Sequence, residues 1–235
     1  MKALILAAGF GSRLAPITDT VPKSLVPVNG KPILFKQIEN LHENGITDIT
    51  VIAGYKAEIL QKAVNDKWPE IKVVISEDYA TTNNMYSAYL GIQATGKCPL
   101  FMMNADVFFD SSVIKSLIAF DASNAIVTDI GNYNEESMKV IEKDGKLIEI
   151  SKAITKEDAL GSSIDVYKFD ENGIKAFYNK CCEYIEEKKE LKKWSEVALN
   201  DILNEIKFVA CPLVGRWMEI DNFDDLSMAE KIFKD

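Results

Sequence analysis

The chain has 235 residues, 47% of them hydrophobic and 27% charged, the composition of an ordinary globular protein with room for one large domain or two small ones. A formal net charge of −9 argues against a nucleic-acid or anionic-membrane surface, and no apolar run approaches the length of a membrane span. Cys98, Cys181, Cys182 and Cys211 show no CxxC spacing, which points to reduced thiols and away from a zinc site, and with no signal peptide ahead of the first strand the expected compartment is the cytoplasm.

The first element is the apolar run Leu4-Ile5-Leu6-Ala7-Ala8, which reads as a buried strand and runs into Gly9-Phe10-Gly11. Glycines let the backbone turn tightly and approach a ligand. Backbone N–H groups there, with Ser12, Arg13 and Lys23, would face an anion such as a nucleoside triphosphate. Ile33, Leu34, Ile38 and Leu41 mark a helix over 32–44, stopped by Asn44-Gly45. A strand over 48–54, a helix over 57–67, a strand over 71–75 and a helix over 84–95, capped by Asn83, come next. A strand over 99–104, a helix over 113–120 and a strand over 125–128 complete the first half, and Asp106 lies just past the strand ending at Asn104. This alternation predicts a parallel sheet covered on both faces, with ligands at the carboxyl ends of its strands. The opening loop, Asp106 and the Gly54-Tyr55 turn all fall at such ends. Beyond residue 130, strands over 138–142 and 146–150 flank the turn Lys143-Asp144-Gly145. A strand over 163–169, helices over 173–190 and 194–206, short strands over 207–211 and 216–220 and a helix over 223–233 close the chain. With no repeat or linker, residues 1–235 read as a single domain: a nucleotide-binding core over 1–130 and an acceptor-binding part over 131–235.

Two common phosphate motifs do not fit. Leu14 stands where a dinucleotide fingerprint needs its third glycine, and Lys23-Ser24 follows proline where a P-loop needs glycine. Asp106, at the tip of a buried strand, is placed to hold a divalent cation over phosphates, with a second carboxylate from elsewhere; the plainer alternative is a turn residue. Asp221, after Glu219-Ile220, is either that second ligand or a helix cap.

The pattern Leu-Ala-Ala-Gly-x-Gly-Ser-Arg-Leu-x-Pro-x-Thr, followed by Pro-Lys-x-Leu-Val-Pro-Val-x-Gly-Lys-Pro, spans residues 6–32. It resembles the nucleotidyltransferases that make sugar nucleotides and CDP-alcohols. The resemblance implies a Rossmann-like, mostly parallel α/β sheet sandwiched by helices, with a small mixed acceptor-binding part. It implies catalytic roles for Arg13, Lys23, Asp106 and Asp221, with Asp106 and Asp221 binding Mg2+ (or Mn2+). Nucleotide contacts would come from Leu6, Ala7, Ala8, Gly9, Gly11, Ser12, Arg13, Lys23, Gly54, Asn84 and Ser87. The run Tyr79, Thr82-Asn83-Asn84, Tyr86-Ser87, Leu90, with stretches near 134–140, 150–152, 194–203 and 217–221, is similar to the bacterial phosphocholine cytidylyltransferase branch. That similarity implies CTP as donor, pyrophosphate as product, and Lys139, Lys152, Asp165, Tyr167, Trp217 and Glu219 as acceptor contacts. The branch usually has a glutamate near the position of Ser162 and a glycine at that of Asp165, and the chain departs from it at both. Phosphocholine, phosphoethanolamine, 2-aminoethylphosphonate and a phosphorylated amide such as phosphoglutamine therefore all suit as acceptors, and the product would serve surface polysaccharide or lipid decoration. The acceptor phosphate is already an anionic nucleophile, so no general base is needed, and His42 is given no role. Two competing readings are a hexose-1-phosphate nucleotidyltransferase and a catalytically silent nucleotide-binding subunit.

Overall fold

In the computed structural model, which describes residues 1–234, the opening apolar run is the central strand β1 (Lys2–Ala7). Ala3, Ile5 and Ala7 enter one core and Leu4 and Leu6 the other, so both faces of the strand are buried and its sequence is apolar throughout. After a small hairpin of β2 (Pro27–Val28) and β3 (Lys31–Pro32) come α1 (Ile33–Glu43), β4 (Ile49–Ala53), α2 (Ala57–Lys67), β5 (Lys72–Ile75), α3 (Asn84–Thr95) and β6 (Leu100–Asn104). The chain continues through β7 (Val107–Phe109), α4 (Ser111–Ala119), β8 (Ala125–Ile130), β9 (Lys139–Lys143), β10 (Lys146–Ser151) and β11 (Gly161–Phe169). It ends in α5 (Glu171–Cys182), α6 (Ser195–Ile202), β12 (Val209–Pro212), β13 (Trp217–Glu219) and α7 (Phe223–Ile232).

The main sheet runs β10-β9-β11-β6-β1-β4-β5, with β8 beside β11 and β12 beside β8. The half built from β6, β1, β4 and β5 is parallel, as the alternation predicts. The other half is mixed, because β11 runs antiparallel to β6, β8 and β9. Apolar side chains of α1, α2 and α4 cover one face, among them Leu34, Leu60 and Ile114. Those of α3, α5 and α6 cover the other, among them Ile92, Phe177 and Leu199. Among the described residues no helix is long and apolar enough to cross a membrane.

Several boundaries differ from expectation. The helix expected over 173–190 is α-helical only to Cys182 and runs on as a π-helical turn, Glu183–Glu187. The helix expected over 194–206 stops at Ile202. The strand expected from 163 begins at Gly161, because it pairs with an equally lengthened β8. Neither the β2–β3 hairpin nor β7 was foreseen. β7 and β13 form an antiparallel ribbon with Glu219 opposite Val107, and this ribbon carries the late acidic segment to the tip of β6.

Candidate active site

Where β1 ends, glycine is required twice. Gly11 has φ +65°, and a Cβ there would lie 2.6 Å from the Lys23 Cβ, so its absence lets Lys23 pack against the loop. A Cβ on Gly54 would lie 2.7 Å from the Ala8 carbonyl oxygen and 2.6 Å from the Tyr79 Cβ. With Gly54 bare, the end of β4 closes on the loop, and the Tyr55 N–H donates to Ala8 O at 3.1 Å. Leu14, fully buried, anchors the following turn in a third apolar cluster with Phe108, Ile220, Leu226 and Phe233.

The ribbon assembles the acidic centre. The Ile220 N–H donates to Asp106 O at 2.9 Å, which sets Glu219 and Asp221 on either side of Asp106. One carboxylate oxygen from each of Asp106, Glu219 and Asp221 lies within 4.8 Å of the others. The Lys23 Nζ donates to Asp106 Oδ2 at 2.8 Å and to Asp221 Oδ1 at 2.6 Å, and Arg13 pairs with Asp221 Oδ2 at 2.9 Å. Burial alone would lower the Lys23 pKa, but Asp106 and Asp221 together raise it well above the ordinary lysine range. Burial pushes Asp221 up, but Lys23 and Arg13 hold it below the usual aspartate range. Burial, with Asp106, Asp165 and Asp221 around it, pushes Glu219 up to about 9. Asp106 Oδ1 is buried and has no partner. An orphaned carboxylate oxygen within an all-oxygen cluster fits a hard divalent cation. Asp221 is not a helix cap: Asn222 caps α7 in a capping box with Asp225, whose Oδ2 accepts from the Asp221 N–H.

Above this centre opens a cleft of about 380 Å³. Of the residues expected at the nucleotide, Leu6, Ala8, Gly9, Arg13, Asn84 and Ser87 line it. Ala7 and Lys23 line a smaller pocket beside Asp106, while Gly11, Ser12 and Gly54 line neither, although both glycines shape the loop. Of the residues expected at the acceptor, Lys152, Asp165 and Glu219 line the cleft. Lys139, Tyr167 and Trp217 do not. Lys139 is fully buried, donates from Nζ to Glu135 O at 2.9 Å, and is lowered in pKa by that burial and by Lys152. Trp217 packs on the first core and donates from Nε1 to Asp129 Oδ2 at 2.9 Å. Tyr167 lies beneath the cleft wall, its hydroxyl 2.9 Å from Asp165 Oδ1 and 3.0 Å from Glu196 Oε1. Ser162 is buried too, donating to Asn132 O and accepting from the Asn134 N–H, both at 3.1 Å, so it ties down the loop before β9.

Asp165 occupies a register shift in β11 at φ +57°, a conformation natural to glycine. The Asn104 Nδ2 donates to its Oδ2 at 2.9 Å. Burial, followed by Glu196 and Asp106, pushes its carboxyl up to about 7. Several lining residues were given no site role by the sequence, among them Phe10 on the opening loop, Asn104 at the end of β6, and Trp194 and Glu196 at the start of α6. Glu196 carries a usable signal. It stands three residues before Leu199 on the apolar face of α6, where a carboxylate is out of place.

A half-parallel sheet whose first strand feeds a glycine-turned loop, facing a carboxylate trio and a cleft of nucleotide size, defines an α/β enzyme of the nucleotidyl-transfer class. The chain belongs to the nucleotidyl transferase family, whose model matches residues 2–234. It is similar to a CTP:phosphoglutamine cytidylyltransferase of Campylobacter jejuni, 29% identical over 252 aligned residues that cover 97% of this chain and 98% of the relative. It is also similar to a choline-phosphate cytidylyltransferase of Streptococcus pneumoniae, 49% identical over 90 residues, 38% of each chain. The solved structure of the CTP:phosphocholine cytidylyltransferase LicC of Streptococcus pneumoniae superposes with a TM-score of 0.80 at 27% identity, covering 99% of both chains.

Proposed function

We propose that this protein is a cytidylyltransferase that moves CMP from CTP to a small phosphorylated acceptor bearing nitrogen, releasing pyrophosphate. The observation that carries the acceptor's chemistry is the charge of the cleft wall. Asp106, Glu136, Asp165, Glu196, Glu219 and Asp221 line it against only Arg13 and Lys152. A metal ion would satisfy the cluster of Asp106, Glu219 and Asp221, but Asp165 and Glu196 lie outside that cluster. A cationic nitrogen on the acceptor would complement them; the hydroxyls of a hexose phosphate would not.

An oxygen of the acceptor phosphate attacks the α-phosphorus of CTP. The bond from that phosphorus to the β-bridging oxygen breaks, and pyrophosphate leaves with the electron pair. Arg13, exposed at the mouth of the cleft, holds the leaving pyrophosphate with its planar fork. Lys23, beside the acidic centre, stabilises the α-phosphate. Asn84 and Ser87, which line the cleft at the start of α3, would contact the cytosine. Asp106 and Asp221, with Glu219 beside them, would hold magnesium, which when bound neutralises charge on the α-phosphate. His42 stands against Trp68, with ring centroids 6.0 Å apart, and takes no part.

The test is pyrophosphate release from CTP, ATP, GTP and UTP with phosphocholine, phosphoethanolamine, 2-aminoethylphosphonate, phosphoglutamine and glucose 1-phosphate. CTP with one of the nitrogen-bearing acceptors should give the highest kcat/KM. Preference for glucose 1-phosphate would overturn the acceptor assignment. CTP binding without turnover on any acceptor would mark a silent nucleotide-binding subunit.

A further inference from the structure

Two carboxyls of the cleft wall, the buried Glu196 and the half-buried Asp165, meet at one phenol. Asp165, in the bulge of β11, and Glu196, in the first turn of α6, both contact the Tyr167 hydroxyl. A phenol has one hydrogen and can donate it to only one of these two oxygens. The other contact is a hydrogen bond only if a carboxyl carries a hydrogen of its own. The neighbouring donors do not alter this count. Asn104 donates to Asp165 Oδ2, Ser195 donates to Glu196 Oε1 at 2.9 Å, and two further donors reach only to 3.5 Å, Ser163 Oγ to Asp165 Oδ1 and Asn84 to Glu196 Oε2. The titratable groups around Asp165 are acids on each packed element: Glu196 from α6, Asp106 from the turn after β6 and Glu219 from β13. Lys152 lines the cleft from the segment after β10, with its ammonium 5.3 Å from the Trp194 ring centroid. Two desolvated carboxyls this close resist ionising together, and Asp165 accordingly titrates near neutrality.

Building on the cytidylyltransferase reading, we infer that Asp165, Tyr167 and Glu196 form one specificity unit that holds a shared proton while the cleft is empty and gives it up to solvent when the positively charged nitrogen of the acceptor enters. One carboxylic O–H bond breaks, the proton leaves, and the incoming ammonium restores the same net charge. Tyr167 keeps its hydrogen, since burial and both carboxyls raise its pKa far above the ordinary phenol range. The exchange selects for charge rather than for shape, because an uncharged group of the same size would displace no proton and would gain no attraction to the carboxyls. Trp194, 45% exposed at the rim, offers an aromatic face to the same cation. The proton competes with the acceptor, so apparent acceptor affinity rises with pH through the neutral range.

Titration calorimetry on the full chain tests this at pH 6.5, in two buffers of different ionisation enthalpy. Phosphocholine is compared with 3,3-dimethylbutyl phosphate, its uncharged carbon isostere, and phosphoethanolamine with propyl phosphate. Each pair shares its phosphate, so the difference in protons released reports the carboxyl unit. The cationic ligand should release about half to one proton more than its isostere and bind at least roughly tenfold tighter. Glu196→Gln should abolish the proton difference and reduce the preference to about threefold or less, with an unfolding midpoint no lower than that of the wild type. Asp165→Asn serves as the second variant, with the same expectation, where Glu196→Gln does not fold. Tight binding of a cationic ligand with the same proton count as its isostere would overturn the inference alone. Failure of both cationic ligands to bind would overturn the acceptor assignment and this inference with it.

Discussion

Lys23 stands between Asp106 and Asp221 and neutralises part of a centre that would otherwise repel itself. Removing a carboxylate from that centre removes both an anionic metal ligand and a partner of the lysine. Asp106→Asn and Asp221→Asn should therefore each lower turnover at least about a hundredfold, close to 2.7 kcal/mol in transition-state stabilisation. A steady-state assay at saturating CTP and magnesium checks this; either variant that keeps a tenth of the wild-type rate loses its place in the metal site. Lys23→Ala should act mainly on kcat and leave CTP affinity within a few-fold, because the charge is needed most where the α-phosphate becomes crowded in the transition state. A rise in the CTP dissociation constant with kcat intact would move Lys23 to ground-state binding.

The β7–β13 ribbon decides whether these residues meet at all. Its two strands have three residues each, and its far end is closed by α7, where Phe108 packs edge-on against Phe233 with centroids 4.7 Å apart. Phe108→Ala should cost about 3–5 kcal/mol of stability. In the protein that remains folded it should lower turnover further by freeing the segment that carries Asp221. Denaturant unfolding beside the pyrophosphate assay separates the two effects, and full activity in the folded variant would show that the ribbon needs no such clamp. The ribbon also marks the limit of what the amino-acid pattern reveals. β1 and its loop were legible because a doubly buried strand is apolar throughout and glycine punctuates its end. The alternation through α3 was legible for the same reason. Val107-Phe108-Phe109 is too short to show a period, so the meeting of Asp106 with Glu219 and Asp221 could be inferred only by likeness. Pattern also cannot tell which face of a strand opens to a cleft when both faces are buried. Lys139, Tyr167 and Trp217 were expected at the acceptor through the resemblance alone, and they do not line the cleft. The register shift that turns Asp165 towards the cleft has no sequence period at all.

For the molecule as a whole, the concentration of acid in one cleft sets the direction of its response to pH. In the folded chain Asp165 is raised to about 7 from an ordinary 3.8, chiefly by burial and then by Glu196 and Asp106. Glu219 is raised in the same direction, to about 9. Between the unfolded and folded values of these groups the native state binds more protons than the unfolded state, so their contribution to stability falls as pH rises. For Asp165 the window runs from about 4 to about 7. Carboxyls held low, such as Asp221 beside Lys23 and Arg13, act oppositely: their contribution is present above the ordinary aspartate pKa and is lost in acid. The ligand-free protein should therefore be most stable near pH 5, between these two limbs, and should lose on the order of several kcal/mol by pH 8. A net charge of −9 acts in the same direction, through self-repulsion that grows as the remaining carboxyls ionise. Magnesium added at pH 8 should recover much of the loss, since a divalent cation binds the ionised acidic centre of the native state and has no such site in the unfolded chain. Urea unfolding at pH 5 and pH 8, with and without magnesium at matched ionic strength, measures both effects. Asp165→Asn should flatten the fall between the two pH values, and Asp221→Asn should abolish the magnesium response. A wild type that is more stable at pH 8 than at pH 5 without magnesium would show that the cleft carboxyls ionise freely, against the burial that surrounds them.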